Sequence, residues 1–173
     1  MRIIVAGSRS LNPYAHGITA LQAERLTTRI RAAIWSGLSA LLPFDVFSTL
    51  CKVSPNYNTQ YPVTDVAGVE FIVGTAAGPD TVGELYGREI GTAVTRMPAD
   101  WSLGRGAGYK RNRAMADYAV AGPGGADDAG LIAVWDGVSK GTKHMIETAR
   151  LVGMKDEHIY VATLSPLDVC NGR

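Results

Sequence analysis

Four short stretches of this 173-residue chain combine glycine with hydroxyls, guanidinium groups or carboxylates, a mixture suited to holding an anionic group. They are Gly7-Ser8-Arg9, Gly74 to Asp80, Pro98 to Arg111 and Asp136 to Thr142. In the last of these, Asp136-Gly137 closes an apolar run, Leu131 to Trp135. Gly137, Ser139, Gly141 and Thr142 then precede Met145, Ile146, Ala149 and Val152, which recur at helical spacing. A strand, a glycine-containing loop and a helix start leave unpaired peptide N–H groups at the positive end of the helix dipole, a setting that suits phosphate. The alternative is an ordinary βα turn, since glycine-rich loops of this kind are common.

The other stretches carry the same two readings. Gly7 permits close backbone approach, and Ser8 and Arg9 offer a hydroxyl and a fixed-fork cation to phosphate or ribose; otherwise they form a strand-end turn with an exposed Arg. Pro79 suits a first helical turn, Asp80 places a carboxylate at its N-terminus, and Glu84 falls on the same face. These carboxylates either accept ribose hydroxyls, as Asp136 would, or serve as a cap and a solvated Glu. Gly104, Gly106 and Gly108 stand beside Arg105, Lys110, Arg111 and Arg113, the densest positive patch in the chain. Arg111 lies one turn before Met115 and shares its inward azimuth. Buried unpaired it would cost several kcal/mol, so it needs an anionic partner. A ligand phosphate is favoured over an internal Asp or Glu, because glycine-rich turns precede it. Trp101 or Tyr109 could stack on a base, and Gly74 and Asn112 complete the candidate ligand-binding set.

The elements that must position these residues alternate. Ile3 to Ala6, Glu70 to Val73, Ala93 to Met97, the run from Leu131 and His158 to Ala162 read as strands. Helical patterns lie between them, the longest over Ile18 to Leu42 and stopped by Pro43. Strand-helix repetition predicts an α/β domain over residues 1–173, with a mostly parallel sheet of about five strands and helices on both faces. Ligands of such sheets sit at the carboxyl ends of the strands, and all four stretches follow strands. Two segments break the alternation. Residues 43–68 read as a lid, an interaction loop or a disordered insertion, and residues 122–130 (GPGGADDAG) as a flexible linker or insertion.

Composition narrows the class. The chain is 46% hydrophobic and 19% charged, ordinary for a globular domain, and its net charge of +1 gives no global field toward nucleic acid or an anionic membrane. No apolar run of membrane length and no leader pattern is visible. Cys51 and Cys170 read as free thiols, and the expected compartment is cytoplasmic. His16, His144 and His158 lack ligand spacing, so neither metal nor resident cofactor is expected. A homodimer or higher homo-oligomer is expected, with the proline-rich loop crossing to a partner.

IIVAGSRS at the start, PADW with GxGAGYKRNRxMADYA in the middle and LIAVWDGVSKGTKHMIETA near the end resemble the SLOG superfamily, most closely its YspA-like branch. The resemblance covers roughly two-thirds of the chain. It implies a Rossmann-like fold and binding of nucleotides or derivatives such as ADP-ribose. The branch's GG-A-R-GAD segment reads Gly74-Thr75-Ala76-Ala77-Gly78-Pro79-Asp80 here, without the second Gly and the Arg. The wider superfamily includes LOG phosphoribohydrolases, whose R-K-x-x-M helix is similar at Arg111 and Met115 and whose PGGxGTxxE loop is similar at Asp136 to Thr142. Their catalytic Glu position is occupied by Met145, and Glu147 lies about 200° further round the helix. Losing such a group costs on the order of 10²–10⁴ in rate, whereas phosphate contacts would survive. A sensor or sequestering protein for a small phosphorylated nucleotide derivative (ADP-ribose-like or a cyclic signalling nucleotide) is therefore expected, with phage anti-defence as its extension. The alternative is a hydrolase of an N-glycosidic bond in which Asp80, Asp136 or Glu84 replaces the missing Glu. DNA handling is disfavoured, because no basic stripe with interleaved aromatics is present. A nucleotide site of this kind needs the four loops at one rim and Arg111 free of any internal carboxylate.

Overall fold

The computed structural model describes residues 1–53 and 68–165. Strands β1 (Arg2–Gly7), β2 (Glu70–Val73), β3 (Ala93–Arg96), β4 (Ala129–Trp135) and β5 (Ile159–Thr163) form one sheet in the order β3-β2-β1-β4-β5. Every neighbouring pair is parallel. Helices α1 (Ala20–Leu41), α2 (Phe44–Val53), α3 (Pro79–Glu89), α4 (Ala107–Val120) and α5 (Lys140–Leu151) complete a Rossmann-like α/β fold.

The period-2 alternation of a strand divides the core into two layers. Ile3 and Val5 of β1 pack with Leu26, Ile30 and Ile34 of α1 and Val82 of α3. Ile4 and Ala6 point the other way, into Met115 and Ala116 of α4 and Met145 and Ala149 of α5. β1 is thus apolar at consecutive positions because both of its faces are covered. Thr19 and Gln22 form a reciprocal capping box that starts α1. Strand order reverses between β1 and β4, which opens a crevice at their carboxyl ends.

Two expectations are corrected. Residues 44–53 form α2, with Leu50 fully buried and the Phe47 ring 4.9 Å from that of Trp35. The apolar face of α2 escapes a reading drawn to the prolines that flank it. Residues 54–67, the rest of the proposed insertion, and Cys170 lie outside the described residues. In 122–130, Ala129 and Gly130 are not linker but the first residues of β4, in register with Arg2 and Ile3. Gly125–Asp128 before them form a short 3₁₀ turn. Among the described residues no helix is long and apolar enough to cross a membrane.

The end of β1 is closely packed. A Cβ on Gly7 would lie 2.4 Å from the Val134 carbonyl oxygen and 2.4 Å from Pro79 Cγ. Gly7→Ala is therefore expected to lower stability by about 1–3 kcal/mol, read as a lower urea midpoint with unchanged slope.

Candidate functional site

The four loops meet, as the sequence leads one to expect, around a cavity of about 360 Å³ at the carboxyl ends of β1 and β4. The β1 loop contributes Gly7, Arg9 and Ser10, and the β2–α3 loop Ala76 and Asp80. Trp101 and Arg105 come from the turn after β3, and Gly108, Tyr109, Arg111 and Asn112 from α4. Asp136, Ser139, Gly141, Thr142 and Met145 close the other side.

Three expected ligand residues do not line the cavity. Ser8 is fully buried. Its hydroxyl donates to Asp136 Oδ1 at 2.9 Å, accepts from the Asp136 N–H at 3.0 Å and meets Thr142 Oγ1 at 3.2 Å, so it ties two loops together. Gly74 makes room for a side chain: a Cβ there would fall 1.2 Å from Arg111 Nη1. Gly137 sits at φ +82°, turning the chain out of β4, and does not line the cavity.

The expectation for Arg111 is also corrected. Its anionic partner is an internal carboxylate, with Nη1 3.2 Å from Asp80 Oδ2 and the two side chains only 12% and 3% exposed. Asp80 further accepts from the Gly7 N–H at 3.2 Å and the Ala76 N–H at 3.4 Å. Burial pushes its carboxyl above the ordinary range, and Arg111 and the two amides pull against that shift. Asp80 thus lines the cavity while it is engaged by Arg111 and two backbone amides. Thr75 lies next to Ala76 at φ 60°, a left-handed conformation rare for a β-branched residue, and nothing in the sequence signals it.

Asp136 is similarly committed. Burial opposes its ionisation, but donors from Ser10 Oγ, Ser139 N, Val138 N and Ser8 Oγ outweigh that effect and bring its pKa to about 2. It organises the β4–α5 loop and has little capacity left for a ribose. Glu84 does not line the cavity; it pairs with Arg88 at 2.9 Å and Arg96 at 3.2 Å. Met145 is buried and lines the cavity, while Glu147 is exposed beside Lys143, 3.8 Å away. Of these carboxylates, Asp80 and Asp136 line the cavity.

The cations are less committed. Arg9 lies over the Trp101 ring, 4.9 Å from its centroid, and Arg105 is exposed on the rim. The first turn of α4 has no side-chain cap, and Ser139 caps α5 through the Thr142 N–H. The Gly141 amide thus belongs to a first turn without an intrahelical acceptor, whereas α4 runs on from the 3₁₀ turn before it, with the Ala107 N–H bonded to the Gly104 carbonyl. Asn112 Nδ2 donates to the Gly141 carbonyl at 3.1 Å and joins the two helix starts. Arg105 stood in the basic patch of the sequence, and Ser10 is one residue beyond Gly7-Ser8-Arg9. Ala76 acts through its backbone and leaves no sequence signal. Among the described residues no cluster of His, Cys, Asp and Glu could hold a metal ion.

Two outcomes follow for the carboxylates. Asp136 has a folded pKa below its ordinary value of 3.8, so its contribution to stability is present above that pH and lost as pH falls toward about 2. Asp136→Asn is expected to remove this part of the acid sensitivity, measured as a shallower fall in urea midpoint between pH 4 and 2. Asp80→Asn strands a buried guanidinium and is expected to cost about 3–5 kcal/mol. Adding Arg111→Met should recover part of that loss in a double-mutant cycle. No protein-family model, curated protein or solved structure matches the chain.

Proposed function

We propose that the crevice binds a small phosphorylated nucleotide derivative and that the protein senses or sequesters it, in keeping with the resemblance to the SLOG superfamily. The observation that carries this reading is the meeting of the α5 first turn with Arg9 and Arg105 around one cavity at the β1/β4 reversal. The cavity's volume is within the span of small-molecule sites. The requirement that Arg111 be free is not met, since it is paired with Asp80; the proposal rests instead on a phosphate held by Arg9, Arg105 and the Ser139–Thr142 turn. Charge-assisted hydrogen bonds there contribute roughly 1.5–3 kcal/mol each. Binding without turnover fits a cavity whose carboxylates are already occupied and whose wall carries Met145. A role in phage–host conflict is the extension of that reading.

Calorimetry with AMP, ADP-ribose, cyclic ADP-ribose and cyclic dinucleotides tests it. Saturable binding that weakens with salt is expected for at least one of them. Arg9→Ala and Arg105→Ala should each lower that affinity by about tenfold or more, the size of one charge-assisted contact. Chromatography should return the ligand unchanged. Absence of binding across the panel by folded protein overturns the proposal, and release of a free base moves it to the hydrolase.

A further inference from the structure

Two aromatic rings border the cavity, and their surroundings differ. Tyr109, 44% exposed, is stacked on His144 with centroids 4.3 Å apart. His144 Nδ1 is itself held between Asn112 Nδ2 at 3.4 Å and Thr148 Oγ1 at 3.3 Å. Tyr109 is thus a braced wall. Trp101 is 57% exposed, and the group over its ring is the Arg9 guanidinium, which arrives from the loop after β1. The pair links two walls of the same cavity.

The position of the indole is built into its turn. Asp100 accepts from the Ser102 N–H at 3.0 Å and from Ser102 Oγ at 2.6 Å, and the Leu103 N–H bonds to the Asp100 carbonyl at 3.1 Å. Gly104, at φ +75°, then redirects the chain into α4. This turn holds a large apolar ring out toward solvent, with the Arg9 guanidinium over it. A guanidinium is planar and stacks on indole much as a heteroaromatic ring does. The face that receives Arg9 therefore has the shape and electronic character to receive a base.

We propose that Trp101 is the base subsite of this cavity: a nucleobase takes the indole face now covered by Arg9, and the freed Arg9 guanidinium turns to the phosphate of the same ligand. The proposal rests on the nucleotide reading above and adds a selection rule to it. A sugar phosphate without a base does not displace Arg9 and so recruits one cation fewer. Ring and phosphate reinforce one another, and the site prefers ligands that carry both.

The test compares AMP with ribose 5-phosphate by calorimetry on the whole chain. Trp101→Ala is expected to weaken AMP on the order of ten- to hundredfold, the size of one base–aromatic stack. Ribose 5-phosphate should bind that variant as well as it binds the native protein, or better. Trp101→Phe, which keeps a ring, should retain most of the AMP affinity, and the exposure of residue 101 favours folding of both variants. Equal loss for both ligands, or no loss for AMP, overturns the base subsite while leaving the phosphate reading intact. Failure of both ligands to bind the native protein overturns the base subsite as well.

Discussion

The site depends on the Arg111–Asp80 ion pair, formed in space that Gly74 leaves by having no Cβ. It joins the start of α3 to the start of α4, one on each face of the sheet, across the carboxyl end of β2. A buried pair of this kind gains little over apolar packing, but removal of either partner leaves a bare charge in the interior. Its worth lies in geometry. Asp80 also gathers the amides of Gly7 and Ala76, so one carboxylate sets the spacing of three loops.

A second carboxylate plays the matching part between β1 and β4. Asp136 receives Ser8, Ser10, Val138 and Ser139, and thereby shapes the loop that leads into α5. Both acids line the cavity but are engaged by the protein's own donors, and Arg9 and Arg105 line it beside the starts of α4 and α5. The proposed preference for an anion rests on where the negative charges are committed, not on an excess of positive residues in a chain of net charge +1.

Much of this was legible before the structure. Consecutive apolar residues at Ile3 to Ala6 and Leu131 to Trp135 mark strands covered on both sides, and the parallel sheet and the meeting of the four loops follow from their alternation with helices. The azimuth shared by Arg111 and Met115 establishes that the guanidinium needs a counter-charge. Periodicity along one helix says nothing about which element supplies it, and the carboxylate comes from 31 residues away. The same limit applies to Ser8 and Gly74, whose types suit a ligand but whose surroundings make them joints. Gly130 and Ala129 read as loop because a strand's first residues gain their identity from the neighbour they pair with, here Ile3 and Arg2. α2 was obscured by prolines beyond its ends, and Thr75 adopts a backbone conformation its side chain disfavours.

The order of the sheet also governs how the molecule is made. β1 is central, yet one of its two neighbours, β4, follows it by more than a hundred residues. Closing so large a loop is entropically slow, and sheets dominated by such distant pairings fold more slowly than those built from local ones. During synthesis the first strand waits with one edge unpaired, an apolar ribbon open to other chains until residues 129–135 emerge. The Ser8–Asp136 joint cannot form before that moment, so the cavity is among the last features to acquire its shape.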